Sequence, residues 1–129
     1  MENQDIRWKQ RFQNYFKTFE KSVSNYPNPS DLEKAGIIRE FGFAYEFALN
    51  TMKYSLSNKD LDQIIGPRSV IKLALQNNLI EDENWLNMIE SRRLVLGIYK
   101  ESILETEYQK IKNTYYPLIE EFYIKTNSI

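Results

Sequence analysis

The 129 residues contain no cysteine and no histidine. The first absence excludes disulfides and thiolate metal sites and is compatible with a reducing compartment. The second removes the usual general base near neutral pH and the commonest metal ligand. Hydrolytic chemistry on this chain would have to run on carboxylates, lysine or tyrosine. An excess of one charge is missing too: 17 basic residues stand against 18 acidic ones, a net charge of -1. No long-range field draws such a chain to nucleic acid or to a membrane surface. No apolar run reaches the length of a membrane span. The start, Met1 to Asp5, is polar and acidic, unlike a signal peptide, so a cytoplasmic location is expected. Only 4 glycines and 4 prolines interrupt a chain rich in Leu, Ile, Lys, Glu and aromatic residues. That composition predicts a single all-α domain over residues 1–129, large enough to bury a core without staples.

What is present is helical periodicity. From Asp5 to Val23 the residues Trp8, Phe12, Tyr15, Phe16, Phe19 and Val23 recur at steps of three and four, which predicts an amphipathic helix. Its polar side has a basic excess in Arg7, Lys9, Arg11, Lys17 and Lys21, a solvated face or a surface for an acidic partner. Pro27 and Pro29 end it. Ser30 to Glu33 reads as a capping box opening a second, longer helix. There Leu32, Ala35, Ile38, Phe41, Tyr45, Ala48, Met52 and Leu56 form one stripe, and Phe43, Phe47 and Tyr54 a second. A helix apolar on two sides is central in its domain or shared with a second chain. Because a small bundle has no central helix, the second stripe is read as a homodimer face.

Ser57 to Ile65 is a polar connection. Gly66-Pro67 starts a short helix to Gln76, which Asn77-Asn78 closes in left-handed geometry. Glu81-Asp82-Glu83 lies at the positive end of the next helix dipole. The last helix begins near Lys100 to Ser102 with a heptad seam of Leu104, Tyr108, Ile111, Tyr115, Leu118 and Phe122. Pro117 predicts a kink near Asn113, and Thr126 to Ile129 is expected to fray. The sum is an antiparallel up-and-down four-helix bundle with an additional short helix.

Charged, flexible and phenolic groups meet between Glu90 and Tyr99. A helix over Glu83 to Leu96 puts Trp85, Met88, Arg92 and Val95 on one face, so Arg92 interrupts an apolar stripe. A guanidinium there has to be paired or line a cleft. Tyr99, just past Gly97, is its neighbour whether or not the helix ends at the glycine. The bland alternative is an arginine paired with a carboxylate of the next helix and a tyrosine packed at a junction. Two further features carry less. Asp60-Leu61-Asp62 sits in a polar loop without a Gly-Ser-rich phosphate turn and reads as solvated rather than as a magnesium site. Gly66-Pro67-Arg68 reads as a plain helix start before an anion site.

Asp5 to Phe12, Tyr45-Glu46-Phe47-Ala48, Gly66 to Ile71, Asn78 to Asp82, Trp85 to Arg92 and Tyr115 to Leu118 together resemble the nucleotidyltransferase substrate-binding subunit family. These are HEPT-type helical partners encoded beside minimal nucleotidyltransferases. The resemblance runs nearly end to end. It implies a helical homodimer that pairs with a small catalytic nucleotidyltransferase subunit in a two-plus-two heterotetramer. It further implies that this chain binds no cofactor itself and that ATP and Mg2+ belong to the partner; the balanced charge and the lack of an apolar span make membrane and nucleic acid unexpected partners.

Related pairs act as toxin and antitoxin, the helical protein being a ribonuclease with an arginine, four residues, a histidine, one residue and a tyrosine. Carried over, Arg92 matches the arginine and Tyr99 the tyrosine, while Gly97 stands in the histidine position. Ser91 and Arg93 replace the usual Asp and Asn, and Leu49-Asn50 replaces a Trp-Lys of the second helix. Without the histidine there is no general base of that kind. The first expectation is therefore a non-catalytic, nucleotide- or substrate-binding subunit using Arg92, Arg93 and Tyr99, Arg92 by bidentate contact to phosphate. The alternative is a degenerate toxin ribonuclease, neutralised by a nucleotidyltransferase that modifies Tyr99. A ligand-free helical adaptor is the third reading.

Overall fold

The computed structural model describes residues 4–56, 66–94 and 101–128. All elements among them are helical: α1 (Gln4–Ser24), α2 (Asp31–Ser55), α3 (Pro67–Gln76), α4 (Asn84–Leu94), α5 (Glu101–Lys110), a π turn (Ile111–Tyr115) and α6 (Tyr116–Thr126). Local chemistry sets their ends. The Ser30 hydroxyl accepts from the Glu33 amide at 3.2 Å, and Glu33 returns a carboxylate oxygen to the Ser30 amide at 2.8 Å, completing the capping box. At the end of α3, Asn78 takes φ 58°. This lets Leu79 N–H reach Ala74 O at 2.9 Å and Asn78 N–H reach Leu75 O at 3.2 Å, a Schellman closure. Asp82 Oδ1 accepts from the Asn84 amide at 2.7 Å and caps α4.

Helix α2 is the central element, packed against α1, α3, α4, α5 and α6. Phe41, Tyr45, Ala48 and Met52 are buried along it. Phe41 stacks on Tyr115 at 5.4 Å between ring centroids, and Tyr45 on Trp85 at 6.2 Å. From α1, Phe12 meets Phe122 at 5.3 Å and Phe16 meets Tyr123 at 4.3 Å. The pairs Trp8 with Tyr54, Tyr15 with Phe43 and Phe19 with Phe41 run in opposite order along α1 and α2, so these two helices are antiparallel.

Three expectations change. The second stripe of α2 has an intrachain cover, since Trp8 packs on Phe47 and Tyr54 and Tyr15 packs on Phe43 and Phe47. Of the two arrangements open to a helix apolar on two sides, α2 has the central one, with α1, α3, α4, α5 and α6 all packed on it. Leu32, assigned to the inward stripe, is 84% exposed, since the first turn of α2 projects beyond the core. Thr126 does not fray: it is buried, and its hydroxyl accepts from Gln13 Nε2 at 3.1 Å. Near Asn113, where a kink is expected, the helix runs through the π turn. Pro117 has no N–H to return to Asn113, and Tyr116 N–H instead bonds Ile111 O, five residues back.

Candidate functional site

Helix α4 presents its core face to α2 and carries Trp85, Met88 and Ile89 inward. Arg92 continues the line of Trp85 and Met88, as the spacing predicts, and its side chain is 20% exposed. Its Nε lies 3.4 Å from Glu46 Oε1 on α2. That contact is too poorly aligned to be a hydrogen bond, and Nε and Nη1 are both buried with no hydrogen-bond partner among the described residues. Arg92 is thus ion-paired to α2, with two nitrogens left without a hydrogen bond among the described residues.

Glu46 connects Arg92 to a pocket. With Leu49, Asn50, Lys53, Gly66, Pro67 and Val70 it lines a cavity of about 190 Å³ between α2 and the start of α3. Gly66 caps α3 with extended backbone and no side-chain bond, and Pro67 follows at the first helical position, the plain helix start expected. Leu49 and Asn50 are thus cleft residues. Beneath lies Tyr45, whose hydroxyl donates to Trp85 O at 3.2 Å. Burial first, then the charge of Glu46 and the neighbouring Tyr115, holds this phenol well above its ordinary value, so it stays neutral. The cavity presents Lys53 and the half-exposed Glu46 over an apolar floor, with Arg92 paired to Glu46 from behind the lining.

Arg93 does not join Arg92. One residue on, it points outward, 73% exposed, and pairs with Glu90 at 3.0 Å on the same helix. Tyr99 and Gly97 lie outside the described residues, as do Val95 and Asp60-Leu61-Asp62. Among the described residues no group of three acidic side chains is placed to hold a metal, and no helix is long and apolar enough to cross a membrane.

Residues 9–128 match the family described as nucleotidyltransferase substrate binding protein like. The chain belongs to this family. No curated protein matches it. For a member of the nucleotidyltransferase substrate-binding family, two residues were missed by pattern alone. Glu46 looks like any solvent-side glutamate of α2, and only tertiary packing sets it against Arg92. Glu107 carried a readable signal: it stands three residues after Leu104 and four before Ile111, a carboxylate on the edge of an apolar seam, and it is buried.

Proposed function

We propose that this chain is the non-catalytic binding subunit of a nucleotidyltransferase complex, acting in the cytoplasm. It forms a homodimer and holds a phosphate-bearing or acceptor substrate against a small catalytic subunit, in a two-plus-two assembly whose ATP and Mg2+ belong to that subunit. Family membership supports the pairing. The observation that carries the binding role is Arg92, a mostly buried guanidinium with unfilled donors beside a cleft. A phosphate oxygen from outside the chain would complete it by charge-assisted hydrogen bonds. Arg93 serves this reading as an outer positive charge and Tyr99 as a further substrate-binding residue; modification of Tyr99 belongs to the toxin-like alternative. The uncovered part of the second stripe, Phe43 at 40% exposure beside an open groove of Arg11, Asn14, Tyr15, Thr18 and Phe47, supports the dimer.

The test mixes the protein with the nucleotidyltransferase encoded beside it, adds magnesium and ATP, and measures complex formation and intact mass, with Tyr99→Phe as control. A stable complex without mass change is the expected result. A nucleotidyl increment lost in Tyr99→Phe would turn the reading to a modified, toxin-like partner. No complex would overturn the pairing.

A further inference from the structure

On the other side of α4 from Glu46, Ser91 Oγ donates to the Tyr115 hydroxyl at 3.2 Å. The two residues line an open cleft of about 430 Å³ between the start of α3, α4 and the π turn. Glu107, with a side chain 4% exposed, lines the same cleft. Its Oε1 accepts from Lys110 Nζ at 3.2 Å, while Oε2 is buried with no hydrogen-bond partner among the described residues. A carboxylate oxygen withdrawn from water without a donor is costly. The seam of α5 would be served better by an apolar residue there.

The backbone beneath explains how Glu107 comes to share a cleft with Tyr115. Eight residues apart on a regular α-helix, the two would point about 80° apart. The π turn just before Pro117 underwinds the chain between them and brings Tyr115 back toward the Glu107 side. Tyr115 already accepts from Ser91, so its own proton is available to an acceptor on a ligand. Glu90, the other carboxylate lining the cleft, is engaged by Arg93. The open acceptor is Glu107.

We propose that this cleft binds a small ligand carrying a protonated primary amine next to an oxygen acceptor, the ammonium on Glu107 Oε2 and the oxygen on the Tyr115 hydroxyl. A cation is the donor that a buried carboxylate oxygen binds best. Pro117 acts as a positioning residue through the π turn. The inference rests on the substrate-binding reading only in calling the ligand a substrate. It is tested on the full chain without a partner, so its failure and the failure of the pairing experiment are distinguishable.

The experiment is an amide NMR titration with 2-aminoethanol, using ethylene glycol and inorganic phosphate as comparators. Saturable shifts at Ser91, Glu107 and Tyr115 are expected with millimolar 2-aminoethanol and not with the comparators. Glu107→Gln is expected to weaken binding by about tenfold or more, the loss of one charge-assisted contact. Pro117→Ala, which restores the amide donor and changes no cleft residue, is expected to weaken it as well by letting Tyr115 rotate away, and keeps the idea testable if Glu107→Gln fails to fold. Equal responses to glycol or phosphate, unchanged binding in both variants, or no saturable shift at these amides would overturn the proposal.

Discussion

A guanidinium that lies mostly out of water with two nitrogens unbonded is a poor contributor to stability, because desolvation is not repaid by Glu46 at 3.4 Å. Replacing it with an apolar chain of similar length removes that cost and leaves Glu46 half in solvent. Arg92→Met is therefore expected to unfold in urea at the same midpoint as the wild type or higher, while losing binding of the phosphate-bearing substrate. A lower midpoint, corresponding to a stability loss of about 2 kcal/mol or more, would make Arg92 a structural ion pair. Three phenols also report on burial. Tyr15 and Tyr45 are raised well above the ordinary value of about 10 mainly by burial, and Tyr116 likewise, with Glu40 adding to Tyr15 and Glu120 to Tyr116. A folded value above the unfolded one means the stabilisation is complete below the unfolded value and lost as pH climbs toward the folded one. Phenolate absorbance is expected to rise only in part above pH 10, the rest appearing together with loss of helical circular dichroism.

At the scale of the element, α2 depends on its first turn. The Ser30 hydroxyl and the Glu33 carboxylate each satisfy an amide that the helix leaves open. Ser30→Ala is expected to cost about 1 kcal/mol, read as a fall in denaturation midpoint without change in slope. These caps were legible because they are local: Ser30 and Glu33, Pro67, Asn78 and the breaks at Pro27 and Pro29 act on their own neighbours. Pro117 was legible in the same way, as a helix that must bend. Its consequence was not, since a kink can be met by a gap, a water or a wider turn, and here the wider turn carries Tyr115, which stacks on Phe41.

For the whole molecule the decisive fact is that α2 lies at the centre. Phe41 touches Phe19 of α1, Tyr45 of α2 and Tyr115 of the π turn, so one side chain joins three segments. Phe41→Ala is expected to cost about 3–5 kcal/mol, a large share of a net stability of about 5–15 kcal/mol, and to lower the melting temperature in calorimetry. On the outer side, Phe43→Glu is expected to convert a dimer to a monomer in sedimentation with little change in stability, because that ring is already partly in solvent. An unchanged dimer would move the interface elsewhere. Helical class, the helix starts at Ser30 and Pro67 and most inward positions were readable in the amino-acid order, because periodicity and capping act over three or four residues. The order also placed Arg92 on the core face of α4. Which carboxylate meets Arg92, what covers the second stripe of α2 and why Glu107 is buried were not readable, because each depends on residues 28 to 46 positions apart, or on the turn the helix takes before Pro117.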